Sequence, residues 1–346
     1  MKQFNYLILK NKQWDNEVIN LISAIKNNQT KLSFFQNNFK NLEVIKQKID
    51  IQSSVSSNTI EGIVTTLSRV KTIIDKDIQP VTKDEKAVLG YLEVRKTILD
   101  NYQDIKINTN HILQIHRDLF KYTDVSFKGK FKDSNNSIVK VENNKTKVIF
   151  TPLESFLVKD AIDQLTNQFN IIRNTKEVDD LLLIPIFIHD FLCIHPFNDG
   201  NGRMSRLLTD LLLYQAGYFI GQFISIDQRI EMTKDQYYLA LEQSSDEWHE
   251  NKNNNICFIK YFLRIIDACY CELINQWSSW MNSKNSGELI NEVIKNSYQK
   301  ITKKLIKDKL PNLSSSSIEK HLKKLVNEKK LIKVGNGKNT YYQKQV

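Results

Sequence analysis

The sequence predicts a mainly α protein: a helical core with one β-hairpin, followed by a small C-terminal winged helix-turn-helix domain. Three observations lead there. Apolar residues recur at helical spacing through most of the 346 residues. β-Branched runs bounded by turn residues occur near 137–151 and again near 331–343. The formal net charge of +10 is concentrated at one end: from Ser283 onward there are 15 Lys and five acids, which leaves the rest near neutral. A basic tail on a neutral body points to a partner for the tail.

Taken in order, Val18, Ile19, Leu21, Ile22 and Ile25, then Leu42, Val44, Ile45 and Ile49, mark two N-terminal helices. A segment around Lys31 to Phe39 separates them, and Trp14, Phe34 and Phe35 are expected in the core. Ser53-Ser-Val-Ser-Ser-Asn-Thr-Ile-Glu-Gly-Ile63 reads as the start of a helix or turn, with Gly62 at its end. Residues 64–125 are expected to be largely helical, with periodic stretches at 86–99 and 111–122; His111 and His116 sit among core-directed positions and read as structural. Residues 137–141 and 147–151 flank Glu142-Asn-Asn-Lys-Thr146 and form a hairpin. A helix at 153–169, a polar linker and a buried helix at 181–193 follow. After the next loop come a helix from Arg203 to Tyr214, a connector at 224–231, and helices from Asp235 and at 258–277.

The most informative stretch is His195-Pro-Phe-Asn-Asp-Gly-Asn-Gly-Arg-Met-Ser-Arg206, between two hydrophobic runs. Gly200-Asn201-Gly202 lets the backbone turn sharply and approach an anion closely. The helix that begins here presents unpaired N–H groups and a partial positive charge. Arg203 and Arg206, at i and i+3, can fork onto phosphate oxygens. Asp199 is a hard oxygen ligand placed for a Mg²⁺ that bridges phosphates. His195, with an ordinary pKa near neutrality, is the natural general base. Each part alone is ordinary, but together they are the parts of a nucleotide-phosphate site.

At every fixed position this string resembles the signature of the Fic family, His-x-Phe-x-Asp/Glu-Gly-Asn-Gly-Arg-x-x-Arg, with resemblance over roughly residues 45 to 265. The resemblance implies a protein adenylyltransferase that moves AMP from MgATP to a Ser, Thr or Tyr hydroxyl of a target protein or of itself. His195 would take the hydroxyl proton, and Asp199 would hold Mg²⁺. Gly200, Asn201 and the Gly202 amide would cradle phosphates, Arg203 and Arg206 would balance the leaving pyrophosphate, and Phe197 would pack under the loop. Ser57-x-x-x-Glu61-Gly62 resembles the family's inhibitory motif, in which the glutamate pairs with the second arginine, here Arg206. The hairpin resembles the flap that pairs with the target's backbone; Gly129-Lys-Phe-Lys132 has lysine where the family often has arginine. Tyr238 resembles the aromatic that flanks adenine, while Ser245 stands where some relatives have asparagine. Transfer of UMP, phosphocholine or phosphate stays open, although the glycine after Asn201 favours nucleotidyl transfer. So does the reverse reaction, with Glu61 orienting a water, and so does a DNA-binding regulator with a nucleotide-sensing body.

The expected domains are 1–110 with the inhibitory motif, 111–281 as catalytic core, and 282–346 after a polar linker at 282–287. In the last, helices at 288–298, 302–309 and 318–329, a turn at Pro311, and strands 331–334 and 340–343 around Gly335-Asn336-Gly337 form the winged helix. Ser315, Ser316, Lys320, Lys323 and Lys324 would face DNA, though such folds also serve as dimer or protein-docking modules. Partner expectations are a hydroxyl-bearing protein, DNA through residues 283–346, and a second copy as a homodimer. No membrane is expected, since no apolar run reaches roughly 18 residues. No secretory signal is read at residues 1–20. Four cysteines suggest neither a disulfide framework nor zinc, and a cytoplasmic location is the expectation.

Overall fold

The computed structural model describes residues 2–36, 42–142, 145–283, 286–295, 297, 300–310, 313–335, 337 and 340–344. It is mainly helical. In chain order the helices are α1 (Asn16–Gln36), α2 (Leu42–Ile60), α3 (Leu67–Asp75), α4 (Lys83–Asn101), α5 (Thr109–Leu119), α6 (Val158–Thr175), α7 (Asp180–Ile194), α8 (Asn201–Gln215), α9 (Ile226–Met232), α10 (Lys234–Ser245), α11 (Ile256–Ser283), α12 (Ser286–Lys295), α13 (Lys303–Lys309) and α14 (Ser315–Asn327). The strands are β1 (Ile138–Glu142), β2 (Lys145–Phe150), β3 (Leu331–Val334) and β4 (Tyr341–Lys344). They form two separate antiparallel hairpins, β1–β2 and β3–β4.

The chain divides into two compact units, Met1–Lys26 with Glu43–Tyr270, and Asn27–Leu42 with Cys271–Val346. No boundary falls at residue 110, where the sequence suggested one. The reason is packing: α4 lies against both α5 and α8, so residues before and after that point share one core.

In the first unit α7 and α8 pack together at the centre, with α6, α4 and α10 against them. Helix α7 is apolar on every side and is buried on every side; Leu181, Leu183, Phe187, Phe191 and Ile194 expose nothing. Asp179 caps it, accepting from Leu181 N at 3.0 Å. Helix α4 starts with a capping box between Thr82 and Glu85.

The serine-rich stretch departs from expectation. Ser53, Ser54, Ser56, Ser57 and Asn58 are not a helix start but the buried interior of α2. Serine reads as a cap because its hydroxyl competes with the helical backbone. Here the hydroxyls bond within the helix or across it: Ser54 Oγ donates to Asp50 O at 2.7 Å, and Ser53 Oγ to Ser225 Oγ at 2.8 Å. Gly62, with φ +79°, ends the helix as read.

Smaller departures follow the same logic. Residues 226–232, read as connector, form α9 with Ser225 as its cap, and α6 runs on to Thr175, shortening the polar linker. Helix α1 continues to Gln36, past the start of the expected break. The rest of that break, the hairpin tip at 143–144, part of the 282–287 linker, Pro311 and Asn336 lie outside the described residues, as do the side chains of Phe34 and Phe35. Trp14 is half-buried under Lys12.

In the second unit α12, α13 and α14 surround a core that includes Ile290, Ile306, Leu322 and Leu325. Strand β3 pairs with β4 in register Ile332↔Gln343, and a bridge between Ile301 and Tyr342 adds to it. Thr302 caps α13 and Ser314 caps α14. Among the described residues no helix is long and apolar enough to cross a membrane.

Candidate active site

The loop between α7 and α8 is shaped by two left-handed residues. His195 ends α7 at φ 50°, and Gly200 precedes α8 at φ 84°. Gly200 is required for space as well: a β-carbon there would meet Phe120. Between them the loop is tied from inside. Asn201 Nδ2 donates to Phe197 O at 2.7 Å, and Phe197 N donates to Asn201 Oδ1 at 2.9 Å. Both ends of the Asn201 amide are thus engaged and buried, so its side chain shapes the loop.

Phe197 lies beneath the loop, fully buried, its ring stacked on His116 at 3.7 Å and 3°. His116 Nε2 donates to Asp199 O at 3.1 Å, while its Nδ1 accepts from Gly129 N at 3.0 Å. Burial lowers the His116 pKa to about 4, so this bond pattern is that of a neutral ring. His116 is structural, as read, but its position under the phosphate loop was not legible from its place on a periodic helix.

Above the loop, the first turn of α8 has no side-chain cap. Its free N–H groups therefore face whatever lies over Gly200 to Gly202. That is Glu61: a β-carbon on Gly202 would run into its carboxylate. Glu61 Oε1 accepts from Arg206 Nη2 at 2.8 Å. Arg206 also donates from Nε to Ser57 Oγ at 2.6 Å and from Nη2 to Ser57 O at 2.8 Å, and lies 3.6 Å from Asp227. Arg203 reaches Asp199 through Nη2 at 3.3 Å and lies over the Phe120 ring at 5.0 Å.

Both guanidinium groups are almost wholly buried, yet Arg203 Nε and Arg206 Nη1 have no hydrogen-bond partner. Burial pulls the Arg203 pKa below its ordinary value despite Asp199 and Glu61. Two buried cations with unfilled donors beside a bare helix N-terminus form a receptor for a polyanion.

The model of the Fic/DOC family matches residues 106–213. Over 106 residues, 30% of this chain and 69% of the relative, the chain is 30% identical to a Fido domain-containing protein of Dictyostelium discoideum.

The chain belongs to the Fic/DOC family.

It is also 26% identical over 174 residues to a protein adenylyltransferase Fic of Nematostella vectensis, covering 47% of this chain but 37% of that relative. The fold is shared with a Fic family protein from Desulfovibrio desulfuricans G20, at TM-score 0.63 and 17% identity, over 96% of this chain and 97% of that one.

In this Fic chain His195 is half-buried, and its Nδ1 lies 3.3 Å from Leu192 O. A carbonyl only accepts, so the proton sits on Nδ1 and Nε2 keeps its lone pair. Burial first, with the Lys132 charge second, brings the His195 pKa down to about 4, so it is neutral at physiological pH. Asp199 keeps 59% of its side chain exposed. No group of three or more His, Cys, Asp or Glu able to hold a metal occurs among the described residues. Mg²⁺ suits such a place, since it binds through one or two carboxylates, substrate phosphates and water. Tyr237 is buried, whereas Tyr238 keeps 38% exposure, with Lys234 Nζ 5.9 Å from its ring centroid. Ser245 is bonded to His189, 3.1 Å from Nε2.

Sequence reasoning missed Asp227 and underrated Lys132. Asp227 is buried and bonded by Tyr91 at 3.0 Å, and no local pattern placed it near Arg206. Lys132 was read only as a departure in the flap. It is in fact buried against the His195 turn.

Proposed function

We propose that this chain is a protein adenylyltransferase that transfers AMP from ATP to a hydroxyl of a target protein, and to itself, and that Glu61 restrains it. The observation that carries the reading is the pair of buried, unfilled donors, Arg203 Nε and Arg206 Nη1, flanking the bare start of α8. A triphosphate supplies the oxygens these groups lack.

In the productive complex the phosphates lie over Gly200 to Gly202, and the Arg203 and Arg206 forks receive the charge that develops on the departing β- and γ-phosphates. Mg²⁺, held by Asp199 and phosphate oxygens, would neutralise part of that charge. The target hydroxyl oxygen forms a bond to the α-phosphorus. The bond from that phosphorus to the α,β-bridging oxygen breaks, and pyrophosphate leaves. The hydroxyl proton passes to His195 Nε2, which the Nδ1 bond to Leu192 O keeps available. The half-exposed Tyr238 would flank the base. In the resting state Glu61 takes one Arg206 donor and the space over Gly202. A nucleotide then finds the γ-phosphate's place filled by a carboxylate.

The test is the intact mass of Glu61→Gly protein after incubation with ATP and Mg²⁺. One or more added AMP groups support the reading. A mass that never changes, with nucleotide bound, overturns it. Loss of AMP from a pre-modified protein by the wild type alone would favour the reverse reaction.

A second reading concerns the partner of the second unit. Helix α14 buries Ile318, Leu322 and Leu325 and leaves Ser315, Ser316, Lys320 and Lys323 exposed. Among the described residues neither Lys320 nor Lys323 pairs with a carboxylate, while Lys324 lies 3.8 Å from Glu328. We infer that this lysine face receives duplex DNA, in the manner of a winged helix.

A further inference from the structure

We propose that Lys132 is a positioning residue for His195, gripping the backbone on both sides of the histidine. The inference rests on the adenylyltransferase reading and names a residue that the signature does not contain. Lys132 N donates to Pro196 O at 2.8 Å, one residue after His195. Its Nζ lies 3.4 Å from Ile194 O, one residue before, and donates to Asn136 Oδ1 at 2.9 Å. His195 is thus bracketed by a single residue reaching from the segment before the hairpin.

Two physical facts make the bracket meaningful. His195 has φ 50°, a left-handed conformation that a residue with a β-carbon holds only when its surroundings fix it. Ile194 is the last residue of α7, and the final carbonyls of a helix lack intrahelical donors and carry partial negative charge. An ammonium there satisfies the carbonyl and complements the dipole while pinning the turn. The lysine is 3% exposed and has no carboxylate partner among the described residues. A buried cation without a counter-ion is costly, and burial takes the Lys132 pKa down to about 8. A purely space-filling position would be better served by an apolar side chain of the same length.

The ammonium also acts on the imidazole through space. The charged groups acting on His195 are Lys132, Glu61 and Asp199; the first lowers its pKa and the other two raise it, all on top of the larger effect of burial. Removing the Lys132 charge therefore raises the basicity of His195.

The experiment uses full-length protein carrying Glu61→Gly as parent, with Lys132→Met, Lys132→Arg and Asn136→Ala added singly. Self-labelling rates are measured against ATP concentration and pH. Lys132→Met, which keeps the length of the side chain, is expected to lower kcat by between about tenfold and a hundredfold, the scale of a misplaced reacting group. KM for ATP should change little, and the acid limb of the pH profile should move to higher pH. Lys132→Arg should recover much of the rate, because it keeps the charge and the donors. A Lys132→Met protein with the parent's kcat and acid limb overturns the proposal. So does a rise in KM alone, which would make Lys132 a nucleotide contact. If Lys132→Met does not fold, Asn136→Ala decides: a smaller fall in kcat is expected, and an unchanged kcat overturns the proposal. A parent that never labels would instead overturn the proposed function.

Discussion

The Glu61 carboxylate stands over Gly202, in the space a β-carbon there would take, and its Oε1 accepts a 2.8 Å hydrogen bond from Arg206 Nη2. Glycine at 202 is therefore needed to leave room for the carboxylate, and on the proposed function the same room would admit a phosphate. On the proposed function, Glu61 and a nucleotide would compete for this place with no rearrangement of the loop beneath them.

Substitution of that carboxylate should release activity. A hydrogen bond to a charged group contributes about 1.5–3 kcal/mol. Glu61→Gly should accordingly raise self-labelling with labelled ATP by about ten- to a hundredfold, since each 1.4 kcal/mol is about tenfold. An unchanged rate would show that the contact does not restrain the site.

Within the released background, His195→Ala should lower the rate by about a hundredfold or more, the usual contribution of a general base. Arg206→Lys keeps a charge but loses the fork that meets Ser57 and Glu61, and should cost about a hundredfold in kcat. His195→Ala should keep the parent's melting behaviour, whereas Arg206→Lys, which loosens the tie to Ser57 beside buried Asp227, should lower the melting temperature. Persistent labelling by His195→Ala would assign the proton to another acceptor.

Stability should fall as the medium becomes acidic. His116, His189 and His195 are each held near a pKa of about 4, with burial the main cause, against an ordinary value of 6.5. Their folded values are depressed, so the unfolded chain binds protons first as pH falls. The stability that neutral histidine confers is complete above pH 6.5 and is lost progressively towards pH 4, by up to about 1.4 kcal/mol per pH unit for each ring. Asp50 and Asp180, raised by burial, oppose this at the acid end of the window. Denaturant midpoints measured from neutral pH down to about pH 4 should decline steadily.

Arg95 is 1% exposed and meets Asp50, Asp210 and Gly221 O. Arg95→Met leaves two carboxylates buried without their cation, which costs about 3–5 kcal/mol. A large drop in melting temperature is expected; a drop of a degree or two would mean that water or a second cation reaches them.

For the second unit, Lys320→Gln with Lys323→Gln should weaken duplex binding and flatten its dependence on salt by about one unit of slope per lysine. Equal binding at every salt concentration would remove α14 from the contact.

Much of this architecture could be read in the residues themselves, for specific reasons. The unbroken apolar run of α7 demanded burial, and the glycines around Asn201 demanded a turn before a helix, so the loop and its arginines were placed correctly. The Ser57–Glu61 spacing gave a contact across 145 residues only because it resembled a known motif. What escaped was set by tertiary context. Ser53 to Asn58 follow the rules for a cap, yet burial against α8 and α9 made them helix interior. The ties of the Asn201 amide to Phe197, four residues away, which shape the loop from inside, could not be read from the glycine-rich pattern. His116, Lys132 and Asp227 come from distant segments, and nothing local distinguishes them from ordinary surface or core positions.

Helix α2 is fastened along its length, at Asp50 by Arg95, at Ser53 by Ser225 and at Ser57 by Arg206, whereas Glu61, just beyond its last turn, keeps 31% of its side chain exposed. The restraint proposed above thus has a fixed arm and a movable tip. Lifting the arm would mean melting part of the core, an event slower than turnover, but swinging the tip takes only side-chain rotation on a nanosecond scale. On the proposed function, an activating signal has a small lever to push, the residues around Glu61 and Gly62.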